Sequence, residues 1–380
     1  MTPEVGPCEI DVDVTKPLWP ISEVATIDAM PTESTWPELL TRLLGGTDLS
    51  IAEATWAMEE IMAGRATSAQ LAGLLVALRA KGETVDEIVG FRDAILAHAL
   101  PLDVDPLALD IVGTGGDPFG AVVNISSVAS IVAAAAGVPV IKHGNRAASS
   151  ASGASDVLAV LGVNLELPPE GVAAVFREVG LAFVFAALFH PGFKHAGPTR
   201  RELGIPTVFN ILGPLCNPAR PEASAVGVAS LERAPLMAGV FQTRGATALL
   251  YRGDDGIDKL TTTGHSHIWE VSRGEVHEHD LDPADLDLPR AEIGQLLAQS
   301  PDHNAAIARA VLSGEPGPVR DIVLLNCAAG LVAWDLARDH TQVEQDIRAR
   351  FAAKIAVAAE TIDSGAAAAK LDQWATATRR

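Results

Sequence analysis

One stretch constrains the fold more than any other. Leu109-Asp110-Ile111-Val112 is a short apolar run that stops on Gly113-Thr114-Gly115-Gly116-Asp117. A helix-like run from about Ser126 to Ala136 follows, and then Val138-Pro139-Val140-Ile141 reads as a second strand. Strands separated by a helix lie parallel, because the crossover carries the chain back to the same end of the sheet. The alternation continues with helices expected at 155–162 and Pro169–Val179 and strands at Leu181–Ala187, 224–229 and 247–252. Amphipathic helices are expected at 302–312, 319–334 and 341–363, with a terminal helix around Ala366–Ala369. Ala and Val supply much of the 48% hydrophobic content and aromatics only 4%. Small apolar side chains suit helices packed closely on a buried parallel sheet.

The segment from Trp36 to Leu100 has a different period. Leu39, Leu40, Leu43 and Leu44 fit one helical stripe, Ala54, Met58, Ile61 and Met62 a second, and Leu71, Leu74, Leu75 and Leu78 a third. Thr67-Ser68 and Thr84-Val85-Asp86-Glu87 look like helix starts, the latter an approximate capping box. A helical set this short cannot bury every face alone, so it must dock on the rest of the chain, on a second copy, or on both. The fold class is therefore α/β, with a small all-helical domain and a larger domain whose mainly parallel central sheet is flanked by helices. The expected division is an irregular extension over 1–34, a helical domain over 35–103 completed by about 191–212, and an α/β domain over 104–190 and 213–380.

Several classes of function are excluded. No uninterrupted apolar window is long enough for a membrane span. The N-terminus carries Glu4, Glu9, Asp11 and Asp13 and lacks the basic start of a secretory signal. Cys8, Cys216 and Cys327 have neither metal-ligand nor disulfide spacing, so a cytoplasmic setting is expected and the thiols read as packing residues. A formal net charge of -20 opposes nucleic-acid binding. Over 141–201 the balance reverses: Lys142, Arg146, Arg177, Lys194, Arg200 and Arg201 face only Asp156, Glu166, Glu170 and Glu178, with His143, His190 and His195 among them. A small anionic substrate fits such a patch.

Four segments carry chemistry. The turn Gly113–Asp117, between strand and helix, lets backbone N–H groups approach a diphosphate, with Asn124, Ser126 and Ser127 at the helix start. By itself it is equally a plain tight turn, and it lacks the third glycine of a dinucleotide fingerprint. Lys142-His143-Gly144-Asn145-Arg146, then Ser149 and Ser150, follows the next strand, where α/β folds place ligands. Its bland alternative is a solvated charged loop. His190-Pro191-Gly192-Phe193-Lys194 precedes Arg200, which could hold a carboxylate bidentately or form an ordinary surface ion pair. Asp254-Asp255-Gly256-Ile257-Asp258-Lys259 offers either oxygen ligands for hydrated Mg²⁺ or an acidic turn.

Taken together and in order, these blocks resemble the anthranilate phosphoribosyltransferases, with Gly113–Asp117, Lys142–Ser150, Arg200–Pro218 and residues 319–333 the most specific. The resemblance implies transfer of the phosphoribosyl group of 5-phosphoribosyl 1-diphosphate to the amine of anthranilate in tryptophan biosynthesis. It also implies a site at the hinge of the two domains, and a homodimer through the helical domains. Matched residue by residue, Gly113, Thr114, Gly116, Asp117, Asn124, Ser126, Ser127, Lys142, Gly144, Asn145, Arg146, Ser149 and Ser150 resemble the phosphoribosyl diphosphate contacts. Gly113, His143, Asn145, Pro191 and Arg200 resemble the anthranilate contacts, Ser126 and Asp258 the Mg²⁺ ligands, and Lys142 and Asp117 the catalytic groups.

The chain departs from the family pattern in the loop before Asn124, which is one residue longer and has Val122 where Thr or Ser is usual. Ala154 replaces a frequent Ser, and Lys259 stands where the family has Glu beside Asp258. A charged Lys cannot ligate Mg²⁺ and could instead touch the diphosphate. Two other readings remain open at this level: a paralogue using another aromatic acceptor, and a non-catalytic binding relative. A pyrimidine nucleoside phosphorylase is less consistent with Gly144-Asn145-Arg146.

Overall fold

The computed structural model describes residues 34–145 and 153–380. Cys8, Arg146, Ser149, Ser150 and nearly all of the expected 1–34 extension lie outside the described residues. Four helices open the described chain: α1 (Trp36–Leu44), α2 (Ile51–Met62), α3 (Ser68–Lys81) and α4 (Val85–Ala97). Each of the last three starts on a capping box, from Ser50, Thr67 and Thr84, whose hydroxyl accepts the N3 backbone N–H while the N3 side chain returns the bond.

The α/β part follows as β1 (Leu109–Gly113), α5 (Ile125–Ala135), β2 (Val140–Gly144), α6 (Ala154–Val160), α7 (Pro169–Val179) and β3 (Leu181–Phe185). Next come α8 (Ala186–Phe189), α9 (Phe193–Leu203), α10 (Phe209–Leu212), β4 (Ala223–Gly227), α11 (Ala234–Arg244) and β5 (Thr247–Gly253). The chain ends with β6 (Ser266–Ser272), β7 (Glu275–Leu281), α12 (Pro301–Leu312), α13 (Pro318–Arg338), α14 (Ile347–Asp363) and α15 (Ala366–Ala377).

The strands form a seven-stranded sheet in the order β3-β2-β1-β4-β5-β6-β7, parallel from β3 to β5 and antiparallel from β5 to β7. Alternation along each strand divides the core. Leu109, Ile111, Ala225, Leu249 and Tyr251 face one cluster, packed by α5, α12, α13, α14 and α15. Val112, Val226, Leu250 and Trp269 face a second, which holds the buried stripes of α1–α4 together with Ala196, Phe209, Leu212 and Phe241. The helical unit therefore has no core of its own; it shares one with a face of the sheet.

Several sequence expectations shift. The second strand runs over Val140–Gly144 instead of 138–141, so Lys142 and His143 sit inside the sheet. A cation is tolerated there because its ammonium finds the Ile111 carbonyl at 2.5 Å. The strand expected at 181–187 ends at Phe185 and turns into α8. The helix expected at 341–363 begins at Ile347, because Asp346 caps it through the Ala349 N–H. The hairpin β6–β7 and the helices α9 and α11 were not anticipated.

Candidate functional site

Lys142, at the centre of the candidate site, is 3% exposed on β2. Besides the Ile111 carbonyl its ammonium reaches Ser126 Oγ at 3.3 Å, which ties the end of β2 to the first turn of α5. Burial pushes Lys142 down to about 8, opposed chiefly by Asp110. Asp110, one strand away, is raised to about 6 by its own burial, against the pull of Lys142, Asn217 and the His143 backbone. Asn217 donates to both Asp110 Oδ2 and the Ile141 carbonyl at 2.9 Å, so it fastens β1 to β2 beneath the site.

The glycine loop closes over this base. Gly115 N–H donates to Asp258 Oδ2 at 2.7 Å, Thr114 N–H to the Gly227 carbonyl at 2.9 Å, and Ala229 N–H to Thr114 Oγ1 at 3.1 Å. A Cβ on Gly113 would stand 2.2 Å from Asp258 Oδ2, so glycine is needed there for close approach. Gly115 and Gly116 have φ of 69° and 82°, the left-handed region. Asp117 Oδ1 accepts the N–H groups of Phe119 and Gly120 and fixes the turn from within.

The loop runs on to α5, whose N-terminus has no side-chain cap. Asn124 spends its side-chain amide on the Gly153 carbonyl at 2.9 Å, and its own N–H donates to Asn304 Oδ1. The Ser127 hydroxyl is buried without a hydrogen-bond partner among the described residues. An uncapped helix start with a neighbouring ammonium favours an anion. Val123 N–H donates to the Leu296 carbonyl and Ala298 N–H to that of Ala121, so a segment far along the chain buttresses the loop.

Lys259 Nζ lies 2.5 Å from Asp258 Oδ1, and both side chains are largely buried. Among the described residues no cluster of three or more His, Cys, Asp or Glu could hold a metal by itself. Of the two residues expected to hold Mg²⁺, the Ser126 hydroxyl lies against Lys142, and the Asp258 carboxylate already meets Gly115 N–H and Lys259. That set fits an ion which keeps water and phosphate oxygens as its remaining ligands. It does not fit a metal held by protein alone.

A second line of groups leads away from Lys142. His143 Nδ1 donates to the Gly213 carbonyl at 2.9 Å, leaving Nε2 buried without a partner. Burial, then the neighbouring His190, pushes His143 down to about 3; burial pushes His190 down to about 4, opposed by the Cys216 carbonyl, which stops short of hydrogen-bond geometry. Both rings are therefore neutral near pH 7. Ring centroids step from His143 to His190 at 5.2 Å, to Phe193 at 5.1 Å and to Phe209 at 5.9 Å. Arg200 lies 4.9 Å above the Phe209 ring, has no ion pair among the described residues, and is pushed below the usual guanidinium range by burial.

The fold thus brings Gly113, Thr114, Gly116, Asp117, Asn124, Ser126, Ser127, Lys142, His143, Gly144 and Asp258 to the C-terminal end of the parallel strands. Asn145 follows directly at the end of β2, and Pro191 is exposed just before α9. His190 and Asn217 lie in segments singled out from the sequence but were given no role there, and Asp110 and Asn304 were not singled out. A polar residue in an apolar run was the only signal for Asp110, and nothing marked Asn304.

Two family models match the chain: "Glycosyl transferase family, helical bundle domain" over residues 37–99 and "Glycosyl transferase family, a/b domain" over 105–368. A protein of Clavibacter michiganensis named anthranilate phosphoribosyltransferase is 70% identical over 92% of this chain and 100% of its own length. The crystal structure of the Thermus thermophilus anthranilate phosphoribosyltransferase is 40% identical with a TM-score of 0.81, covering 90% of this chain and 99% of that one. The Saccharomyces cerevisiae enzyme, in complex with phosphoribosyl diphosphate and Mg, is 28% identical with a TM-score of 0.81, covering 92% and 99%.

Proposed function

Because this chain belongs to the anthranilate phosphoribosyltransferase family, we propose that its cleft joins phosphoribosyl diphosphate to anthranilate, giving N-(5-phosphoribosyl)anthranilate and diphosphate for tryptophan biosynthesis. The observation that carries this reading is the file of rings from His143 to Phe209. It begins at His143, the strand neighbour of the buried Lys142 ammonium suited to a diphosphate, and ends at a guanidinium with no ion pair among the described residues, suited to a carboxylate. An aromatic amino acid and a sugar diphosphate need those two ends and an apolar path between them.

In the reaction the bond from the ribose anomeric carbon to diphosphate breaks and its electron pair leaves with the diphosphate. The amine lone pair forms the new C–N bond, and the nitrogen then loses a proton. The amine is neutral at pH 7, so no strong base is needed. Catalysis rests on holding the two reactants together and on placing positive charge at the leaving group. We infer that Lys142 and the backbone N–H groups at the start of α5 supply that charge. Gly113, Thr114 and Gly116 admit the diphosphate, Asn124, Ser126, Ser127, Gly144 and Asn145 surround it, and Asp117 keeps the loop in shape. Arg200 takes the carboxylate in a bidentate fork, with His143, Asn145 and Pro191 along the ring path. Mg²⁺ held by Ser126 and Asp258 supplies further charge neutralisation when bound. Lys259, paired with Asp258, contributes an ammonium where a second metal ligand would otherwise stand.

The helical part, over 35–103 and completed by 191–212, is proposed as the domain that carries the acceptor end of the cleft, supported by the shared cluster that includes Ala196, Phe209 and Leu212. Leu44, Ile51 and Val76 on α1–α3 are exposed apolar residues, 79%, 42% and 45% accessible, which supports a homodimer through the helical unit. The buried free thiols of Cys216 and Cys327 support a cytoplasmic setting.

Loss of anthranilate fluorescence on addition of phosphoribosyl diphosphate tests the reading, with and without Mg²⁺, in wild type and Lys259→Glu. Turnover in wild type is expected, together with a steeper Mg²⁺ dependence in the variant, because a second carboxylate replaces a cation. Unchanged fluorescence at every Mg²⁺ concentration would sink it.

A further inference from the structure

The opposite end of the sheet carries a second concentration of positive charge that the reaction does not use. Arg244 is the last residue of α11 and stands just before β5; Arg220 stands just before β4. Because β4 and β5 are parallel and Ala223 pairs with Thr247, both arginines lie at the N-terminal end of the strands. The Gly113–Asp117 loop leaves the C-terminal end, about 17 Å away along a five-residue strand. Arg92, on α4, which packs on α11, is close enough for its charge to act on Arg244.

Arg92 is 7% exposed. Its Nε and Nη2 share a single oxygen, Asp93 Oδ1, at 2.8 and 2.7 Å, while Nη1 is buried with no hydrogen-bond partner. Arg220 and Arg244 make no ion pair among the described residues. The charged groups acting on Arg244 are thus two further guanidiniums, Arg92 and Arg220, and one carboxylate, Asp93, itself half exposed and paired with Arg92, in a protein of net charge -20. A buried N–H left without an acceptor is costly, more so on a cation. Burial, then Arg92 and Arg220, pushes Arg244 down to about 10. Two of the three cations also flank the Cys216 thiol, which burial pushes up to about 12, so the thiol remains neutral and cannot serve as the missing counter-charge.

We propose that Arg92, Arg220 and Arg244 form a binding site for a small dianionic oxyanion, a phosphate or a dicarboxylate, at the end of the sheet opposite the catalytic cleft. In such a site Arg92 Nη1 would donate to the anion, and Arg244 and the exposed Arg220 would add charge from just before β5 and β4. A bound anion would tie α4 to α11 and to the approach of β4, fastening the helical unit to the sheet. The site takes no part in the transfer reaction, so its test is independent of that reading.

Titration calorimetry on the full chain compares inorganic phosphate and malonate in wild type, Arg244→Gln and Arg220→Gln, and selenate in crystals locates a tetrahedral anion by its anomalous signal. Arg92 is left intact because deleting so buried a side chain threatens the fold. The expected results are an anomalous peak within reach of Arg92 Nη1 and an affinity lower by about tenfold or more in Arg244→Gln. Binding of phosphate alone assigns a phosphorylated ligand, and binding of malonate alone a carboxylate. Equal affinities in wild type and Arg244→Gln, or no peak beside Arg92, overturn the proposal.

Discussion

Lys142 shows how a single side chain acquires its chemistry from its place. On an exposed loop its ammonium would titrate far above neutrality; inside β2 it is held at about 8. In the free protein the cation is present below that value and is lost as pH rises through it, so affinity for phosphoribosyl diphosphate should fall between pH 7 and 9. Calorimetry across that range checks the sign, and a flat profile would remove Lys142 from the diphosphate. Arg200 makes the complementary case. Its fork and its stacking on Phe209 are not reproduced by an ammonium, so Arg200→Lys should raise the KM for anthranilate about tenfold or more while the affinity for phosphoribosyl diphosphate stays within about twofold. Equal losses for both substrates would contradict that role. At this scale the sequence was informative about residue type and order. It could not tell that Arg200 is unpaired or that Asn304, 180 residues beyond Asn124, accepts its N–H.

The helices were easiest to read where caps and stripes coincide. Thr84 caps α4, and Glu87 does more than the return bond of the box: its carboxylate, 0% exposed, also accepts the Leu49 N–H and pairs with Lys81. Thr84→Ala should cost about 1 kcal/mol. Glu87→Gln should cost about 2 kcal/mol or more, because it leaves buried donors facing an amide. Urea denaturation of both variants measures the difference, and an equal cost would mean that Glu87 is only a cap. The hairpin β6–β7 escaped the sequence reading for a reason in its composition. Its edge strand, Glu275–Leu281, alternates His, Glu and Asp with little apolar content, as an edge that must not pair with another chain does.

The helical unit and the sheet share one apolar cluster, so the described chain should unfold in a single cooperative transition. Two well-separated calorimetric transitions would show that α1–α4 have a core of their own. That transition should also depend on pH. His143 and His190 are pushed down to about 3 and 4 by burial, whereas in the unfolded chain they titrate at 6.5. The unfolded state therefore binds more protons below pH 6.5, and stability contributed by the neutral pair is full above that value and lost as pH falls toward 4. Between pH 7 and 5 the loss should be on the order of 4 kcal/mol, roughly half from each ring, and His190→Asn should reduce it. Urea midpoints at the two pH values measure this; an identical drop in the variant would acquit the pair.

The sequence by itself determined the alternation that makes the sheet parallel, the glycines that let the first loop close, and the order of the charged blocks. These are local matters: hydrophobic period, backbone freedom and side-chain chemistry are written residue by residue. Tertiary structure alone decided that Lys142 lies within a strand instead of beyond it, and that Asp258 reaches back to Gly115 across 143 positions. It also decided which arginines have no carboxylate to meet. Burial and long-range pairing fix all three, and both depend on where every other segment of the chain has packed.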